Sequence, residues 1–204
     1  MFKTSFAAVL FATAAEASLR MGSCPSYTRM ETFDVERYMG KWYEISRDKL
    51  TIYDAKSIFA GCGSADYKLN DDGTVGVWNR AHYPMLGWDG LEGKAITSNV
   101  TGPASLVVSF SGEPDADRVG NYDIIDTDYD SYVIVYTCRE VMNGMANYDL
   151  MYILGREPTL PEEKWLEIIG IMNEKVPGYD FFPNVHTTRQ NNVTCPYDGE
   201  PPAP

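Results

Sequence analysis

Short segments in which polar and apolar side chains alternate fill most of the chain between residues 41 and 155. Alternation with a period of two is typical of β-strands with one buried face. Turn residues at 70–73, 128–130 and 143–144 separate several of these segments, and such short links join antiparallel neighbours. The pattern predicts eight strands, at residues 41–48, 57–69, 74–82, 90–99, 104–111, 120–127, 131–139 and 147–155.

One convincing helix is predicted, and it follows the last strand. Thr159 and Glu162 have the spacing of a capping box, with Pro161 in the first turn. Apolar residues then recur at helical intervals, namely Trp165, Ile168, Ile169, Met172 and Val176. Closing eight strands removes every unpaired strand edge. We therefore predict an all-β fold, an eight-stranded up-and-down antiparallel β-barrel with this helix packed on its outside.

The composition restricts the domain organisation and the partners. A chain of 204 residues with 44% hydrophobic residues is sufficient for one well-packed domain. Its formal net charge of −12 disfavours nucleic acid and anionic membranes as partners, because both are themselves negatively charged. No segment has the roughly 20 apolar residues that a membrane-spanning helix needs, so no integral membrane segment is expected.

The first residues have the layout of a secretory signal peptide, which we assign to residues 1–17. Lys3 precedes a short apolar run, and Ala15 and Ala17 form a small-x-small cleavage pattern. These features predict a secreted, extracellular protein. Sequons at Asn99 and Asn192 are consistent with that compartment and are candidate glycosylation sites.

Four cysteines are present, and four cysteines allow three pairings. Two disulfides are the default in an oxidising compartment. The cysteines form no C-x-x-C motif and the chain has only two histidines, so a zinc site is poorly supported and we expect no metal and no cofactor.

Three short motifs follow one another at plausible spacing: Gly40 and Trp42, then Thr127, Asp128 and Tyr132, and finally Arg156. In this order they resemble the three signatures of the lipocalin family. The resemblance covers residues 24–197 and is strongest to the group that includes apolipoprotein D, bilin-binding proteins and bacterial outer-membrane lipocalins. It implies one lipocalin domain over 24–197, and we expect residues 198–204 to form a disordered tail.

The resemblance also implies roles for individual residues. The side chain of Trp42 would plug the closed end of the barrel, with the guanidinium of Arg156 over its ring. Cys24 would pair with Cys138, and Cys62 with Cys195.

With Trp42 pointing inward, alternation would also send Glu44 and Ser46 into the barrel, and the resemblance sets the phase of the other strands. The resulting lumen is mostly apolar and aromatic, which suits a pocket for a small hydrophobic ligand. Arg139 would lie near the open end, where it could meet a carboxylate. The predicted ligand-binding residues are Glu44, Tyr67, Val77, Asn79, Leu91, Leu106, Val108, Tyr122, Ile124, Val133, Val135, Arg139, Leu150 and Tyr152. The alternative is a filled core without a cavity.

These expectations describe a non-enzymatic carrier of a fatty acid, steroid, retinoid, carotenoid or tetrapyrrole. We expect it to be a monomer, with a cell-surface receptor as a further candidate partner. Two other classes remain open at this stage. One is a lipocalin-fold isomerase that acts on a lipid, and the other is a module whose loops bind a protein.

Overall fold

A computed structural model describes residues 18–48, 61–191 and 193–203. The predicted signal peptide, residues 57–60 of the second predicted strand, and Asn192 lie outside the described residues. The strands are β1 (Ser18–Met21), β2 (Gly40–Asp48), β3 (Gly61–Leu69), β4 (Val75–Tyr83), β5 (Gly87–Ser98), β6 (Gly102–Ser109), β7 (Tyr122–Thr127), β8 (Tyr132–Val141), β9 (Ala146–Gly155) and β10 (Val185–Thr187). The helices are α1 (Val35–Tyr38), α2 (Glu162–Lys175) and α3 (Phe181–Asn184), and single 3₁₀ turns occur at Met142–Gly144 and Tyr197–Gly199.

Strands β2 to β9 form the predicted eight-stranded antiparallel barrel. Each strand pairs with the next along the chain, and β9 closes the sheet by pairing with β2. The turn between β3 and β4 shows why the links can be so short. Gly73 adopts a positive φ of 82°, and its amide donates to the carbonyl oxygen of Asn70. The up-and-down topology expected from the sequence is therefore confirmed.

Helix α2 packs on the outside of the barrel, as predicted. Ile168 and Met172 are fully buried against the outward-facing side chains of β7, β8 and β9, including Ile134 and Ile153. The predicted capping box is wrong. The N-cap is Pro161, without a side-chain cap, and the helix begins at Glu162. Leu160 precedes Pro161, and the residue before a proline is disfavoured in the helical conformation. Leu160 and the preceding Thr159 therefore stay outside the helix.

Two short strands that we did not predict extend the wall at the end of the barrel away from Trp42. Strand β2 pairs with β3 only as far as Tyr43, and β10 then takes over that edge at Ser46–Asp48. Strand β9 pairs with β2 near Tyr152–Gly155, and β1 pairs with its other half, Ala146–Asp149. Both strands cover edges that would otherwise leave backbone groups unpaired. These strands contain only three and four residues, which is too few for an alternating pattern to be recognised in the sequence.

A buried polar cluster lies where β1, β2 and β9 meet. Arg20 of β1 forms ion pairs with Asp48 of β2 and with Asp149 of β9. The hydroxyl of Tyr179 donates to Asp48, and that of Tyr136 lies 3.4 Å from Asp149. Burial raises the pKa of Asp48 to about 7, and the neighbouring Asp149 adds to the shift, against the opposing effects of Tyr179 and Arg20.

The C-terminal segment, for which we expected disorder, forms several contacts with the barrel. The carboxylate of Glu200 forms ion pairs with Lys41 and Arg80 and accepts a hydrogen bond from Ser64. The same arginine donates to the carbonyl oxygen of Pro201. These contacts hold residues 197–201 against the outer face of the barrel, and the sequence pattern of the tail contains no signal for them.

The Asp48 cluster predicts a pH dependence of stability. A carboxyl group whose pKa is higher in the folded than in the unfolded chain, where it is about 3.9, contributes stability at low pH that is lost as the pH rises through about 7. We expect the free energy of unfolding of the wild type, relative to Asp48→Asn, to fall between pH 5 and pH 8. Urea unfolding at several pH values measures the difference, and a pH-independent difference would contradict the prediction.

Candidate ligand-binding site

The Trp42 side chain closes one end of the barrel. It has no exposed surface, and its indole nitrogen donates to the carbonyl oxygen of Tyr38 at 2.8 Å. The central guanidinium carbon of Arg156 lies 3.7 Å from the centre of the indole ring. A cation–π contact of this kind is worth about 0.5–2 kcal/mol, more when it is shielded from water.

The guanidinium of Arg156 also connects three segments at this end. It donates to the carbonyl oxygens of Arg37, Lys41 and Tyr129 at 2.9–3.0 Å. Partial burial lowers its pKa, but an arginine remains charged at any physiological pH. One side chain therefore joins α1, the start of β2 and the β7–β8 turn over the Trp42 ring.

The turn between β7 and β8 is held by Thr127 and Asp128. The Thr127 hydroxyl donates to the carbonyl oxygen of Tyr132, and the Asp128 carboxylate accepts the amides of Asp130, Ser131 and Tyr132. Partial burial alone would raise the pKa of Asp128, but the hydrogen bonds from Ser131, Tyr132 and Asp130 outweigh it and lower the pKa to about 2. This fixed turn presents the carbonyl oxygen of Tyr129 to Arg156.

A cavity of about 770 Å³ occupies the barrel above this floor. Its size is within the usual range for small-molecule pockets, and its wall is mainly aliphatic and aromatic. The structure brings most of the predicted lining residues together around it. Those that line the cavity are Glu44, Tyr67, Val77, Asn79, Leu91, Leu106, Val108, Tyr122, Leu150 and Tyr152.

Four predicted residues do not line the cavity. Ile124, Val133 and Val135 are fully buried in the cluster around Trp42, because the barrel is filled by side chains at that level. Arg139 is exposed. It pairs with Tyr148 in the part of the β8–β9 hairpin where β9 pairs with β1 instead of closing the barrel, so alternation no longer directs it into the lumen.

A bulge in β2 changes which residues face the cavity. The pairing of β2 with β9 shifts between Glu44 and Ser46. Glu44 lines the cavity as predicted, but after the shift Arg47 does so in place of Ser46, whose hydroxyl donates to the carbonyl oxygen of His186. The charged atoms of Glu44 and Arg47 are 3.5 Å apart, and the Thr188 hydroxyl donates to Glu44. The wall thus contains one ion pair that alternation alone could not find.

The segment that precedes β2 was missed as part of the site. Phe33, Val35, Tyr38 and Met39 line the cavity from below, where α1 crosses the closed end of the barrel. The segment is not a strand, so strand periodicity could not assign it. Its high content of apolar residues immediately before the Gly40–Trp42 motif was the available signal.

Two disulfides connect the barrel to its flanking segments. Cys24 pairs with Cys138, and Cys62 with Cys195, across 114 and 133 residues of sequence. On the chain-entropy model each long closure stabilises by about 4–5 kcal/mol before strain is subtracted. The second disulfide keeps the chain after β10 beside β3, where Gln190 donates to the backbone of Glu44 and Gly63.

A closed eight-stranded barrel with a sealed floor and an apolar interior defines a ligand-binding protein of the lipocalin type. Residues 33–190 match the family model of the lipocalin-like domain, and the chain belongs to the lipocalin family. It is 39% identical to rat (Rattus norvegicus) apolipoprotein D over 155 residues, 76% of this chain and 77% of that protein. It is also 31% identical to the Escherichia coli outer membrane lipoprotein Blc, over 82% of this chain and 89% of the relative.

Solved structures show the same fold at lower identity. Insecticyanin from the tobacco hornworm superimposes with a TM-score of 0.71 at 20% identity, covering 88% of this chain and 92% of that one. Lobster apocrustacyanin A1 gives a TM-score of 0.69 at 18% identity, covering 88% and 94%. Within the described ranges, 18–48, 61–191 and 193–203, no helix is long and apolar enough to cross a membrane.

The Trp42 plug predicts a large loss of stability on truncation. Trp42→Ala removes a fully buried indole and the ring under Arg156, and we expect it to lower the free energy of unfolding by about 3–5 kcal/mol. Trp88→Ala, which truncates a partly exposed indole on β5, is the matched control and should cost less. Denaturant unfolding of both variants measures the difference; a loss below about 1 kcal/mol for Trp42→Ala would contradict its role as plug.

Proposed function

We propose that this protein is a secreted carrier that binds one small hydrophobic molecule inside its barrel. The observation that carries the proposal is the apolar cavity of about 770 Å³ above the sealed Trp42–Arg156 floor. Such a pocket buries most of the surface of a fatty acid, steroid, retinoid, carotenoid or tetrapyrrole. Each buried methylene contributes about 0.8 kcal/mol, so micromolar affinity is attainable after the cost of ordering the ligand.

The extracellular location is part of the proposal. Two disulfides are typical of proteins from oxidising compartments, and residues 1–17 have the pattern of a signal peptide. Asn99 is exposed in the turn between β5 and β6, where an oligosaccharide would not collide with the cavity. We propose glycosylation there and at Asn192. A monomeric state and a cell-surface receptor complete the proposed description.

Blocking the cavity tests the carrier function. Val108 of β6 lines the cavity with part of its surface accessible, so Val108→Trp would place an indole in the ligand space. We expect the variant to bind the neutral fluorescent probe N-phenyl-1-naphthylamine at least about tenfold more weakly, a loss of roughly 1.4 kcal/mol. Val100→Trp makes the same change at an exposed turn and should bind like the wild type. Equal affinity of all three proteins would contradict binding in the barrel.

In the isomerase alternative, the prostaglandin type of reaction depends on a free thiol inside the barrel. All four cysteines of the sequence are paired in the structure, so that nucleophile is missing. We therefore propose that the protein performs no covalent chemistry on its ligand. Titration of the unfolded, unreduced protein with a thiol reagent should detect no free thiols. A stoichiometric thiol would instead favour the enzyme.

The remaining alternative, a module whose loops bind a protein, differs in its response to ligands. A carrier gains thermal stability from any ligand that binds only its folded state. A delipidated sample whose unfolding midpoint responds to no member of the five ligand classes would favour the interaction module.

A further inference from the structure

Three tyrosine hydroxyls meet at the floor of the cavity. Tyr38 comes from α1, Tyr67 from β3 and Tyr122 from β7, and all three line the cavity. The Tyr122 oxygen lies 2.8 Å from the Tyr38 oxygen and 3.2 Å from the Tyr67 oxygen. The Tyr38 ring is stacked on that of Tyr67 and lies beside the Trp42 plug, with ring centres 5.2 Å apart in both pairs. We call this group the tyrosine cluster.

The tyrosine cluster has three hydroxyl protons but only two short O···O contacts. Each hydroxyl carries one proton, and the two O···O contacts consume two of the three. Whichever direction the two bonds take, one O–H is left over. Where it belongs to Tyr38 or Tyr67, its internal acceptor is the other of these two hydroxyls, a weaker contact that an oxygen atom of a ligand can replace. Within the part of the chain that the structure describes, these three hydroxyls form hydrogen bonds only with one another.

The remaining donor faces an apolar space. Val75, Val77, Ala95 and Leu106 pack around Tyr67 and Tyr122. These side chains provide no acceptor. A donor left unpaired in such surroundings costs about 1–3 kcal/mol, so an oxygen atom of a bound molecule at this position would be stabilised.

The charges around the floor favour a neutral oxygen over an anionic one. Burial raises the pKa of all three phenols, which stay protonated and available as donors. The nearby cation, Arg156, lies behind the Trp42 ring and donates to backbone carbonyls. The Arg47 guanidinium is on the β2 wall next to Glu44, which offsets its charge. A buried carboxylate at the floor would have no facing cation to balance it.

We propose that the tyrosine cluster is the binding site for a neutral oxygen, such as a ketone, aldehyde, ester carbonyl or alcohol, at the leading end of the hydrophobic ligand. The proposal rests on the carrier function proposed above and specifies the chemical class of its ligand. The apolar body of the ligand then lies against β4, β5 and β6, and its oxygen accepts the remaining tyrosine proton. Tyr38, which lies outside the strands, makes the end of α1 part of ligand recognition.

A matched ligand pair and a matched variant test the site. The ligands are 2-dodecanone and 2-methyl-1-dodecene, which differ only in having C=O or C=CH₂ at the same position. The variant is Tyr38→Phe/Tyr67→Phe/Tyr122→Phe, which keeps all three rings and removes every hydroxyl. Affinities are measured by displacement of N-phenyl-1-naphthylamine. Tyr148→Phe, an exposed tyrosine of β9, is the control.

We expect the ratio of ketone affinity to alkene affinity to be about tenfold lower in the triple variant than in the wild type, and unchanged in Tyr148→Phe. The change in the ratio isolates the hydrogen bond, because the difference in hydration between the two ligands is the same for every protein. An unchanged ratio in the triple variant, with probe binding intact, would overturn this proposal but leave the carrier function standing. A wild type that does not bind the probe would overturn the carrier function, and the proposal with it.

Two further measurements do not depend on the ratio. In the wild type, the infrared carbonyl band of ¹³C-labelled 2-dodecanone should lie at the lower frequency of a hydrogen-bonded ketone, and a free-carbonyl band would overturn the proposal even if the triple variant fails to fold. Dodecanoate tests the charge. If its affinity falls in the triple variant as much as that of the ketone, the tyrosine cluster accepts an anion and the neutral-oxygen assignment is wrong.

Discussion

The contact between Arg156 and Trp42 is the interaction on which the rest of the structure depends. A barrel can hold a ligand only if one end is sealed, and a tryptophan alone would leave the polar backbone of the surrounding turns without partners. The guanidinium covers the ring and bonds three carbonyl oxygens from separate segments at the same time. A lysine would supply the charge without the planar, five-donor geometry that this arrangement needs.

Above the floor, two strands of the barrel change their pairing partner along their length. Strand β2 leaves β3 and continues with β10, while β9 leaves β2 and continues with β1. The ion pairs of Arg20 with Asp48 and Asp149 connect the strands at that point. Strand β2 also contains a bulge in its pairing with β9, and Arg47, which follows the bulge, lies in the cavity wall beside Glu44.

Much of this site could be predicted from the sequence. Alternation located eight strands, and the resemblance to lipocalins implied the plug and set the phase that placed ten of the fourteen proposed ligand-binding residues on the cavity wall. The failures have separate causes. Ile124, Val133 and Val135 have the correct orientation, but they lie at a level where the barrel is full. Arg139 fails because its hairpin extends past the closed part of the wall, and the Ser46 prediction fails because a bulge adds a residue.

The sequence by itself determined the fold class, because a period of two and its turn residues are local properties of the chain. The inward-facing side of most strands came from the resemblance to lipocalins. Family membership was also readable, since three motifs occur in one order. Only the tertiary structure decided where the filled core ends and the cavity begins, because that boundary depends on which side chains from different strands reach the same level. It also decided that three tyrosines from a helix and two distant strands share a single hydrogen-bonded cluster, since no local pattern encodes the distance between their hydroxyls.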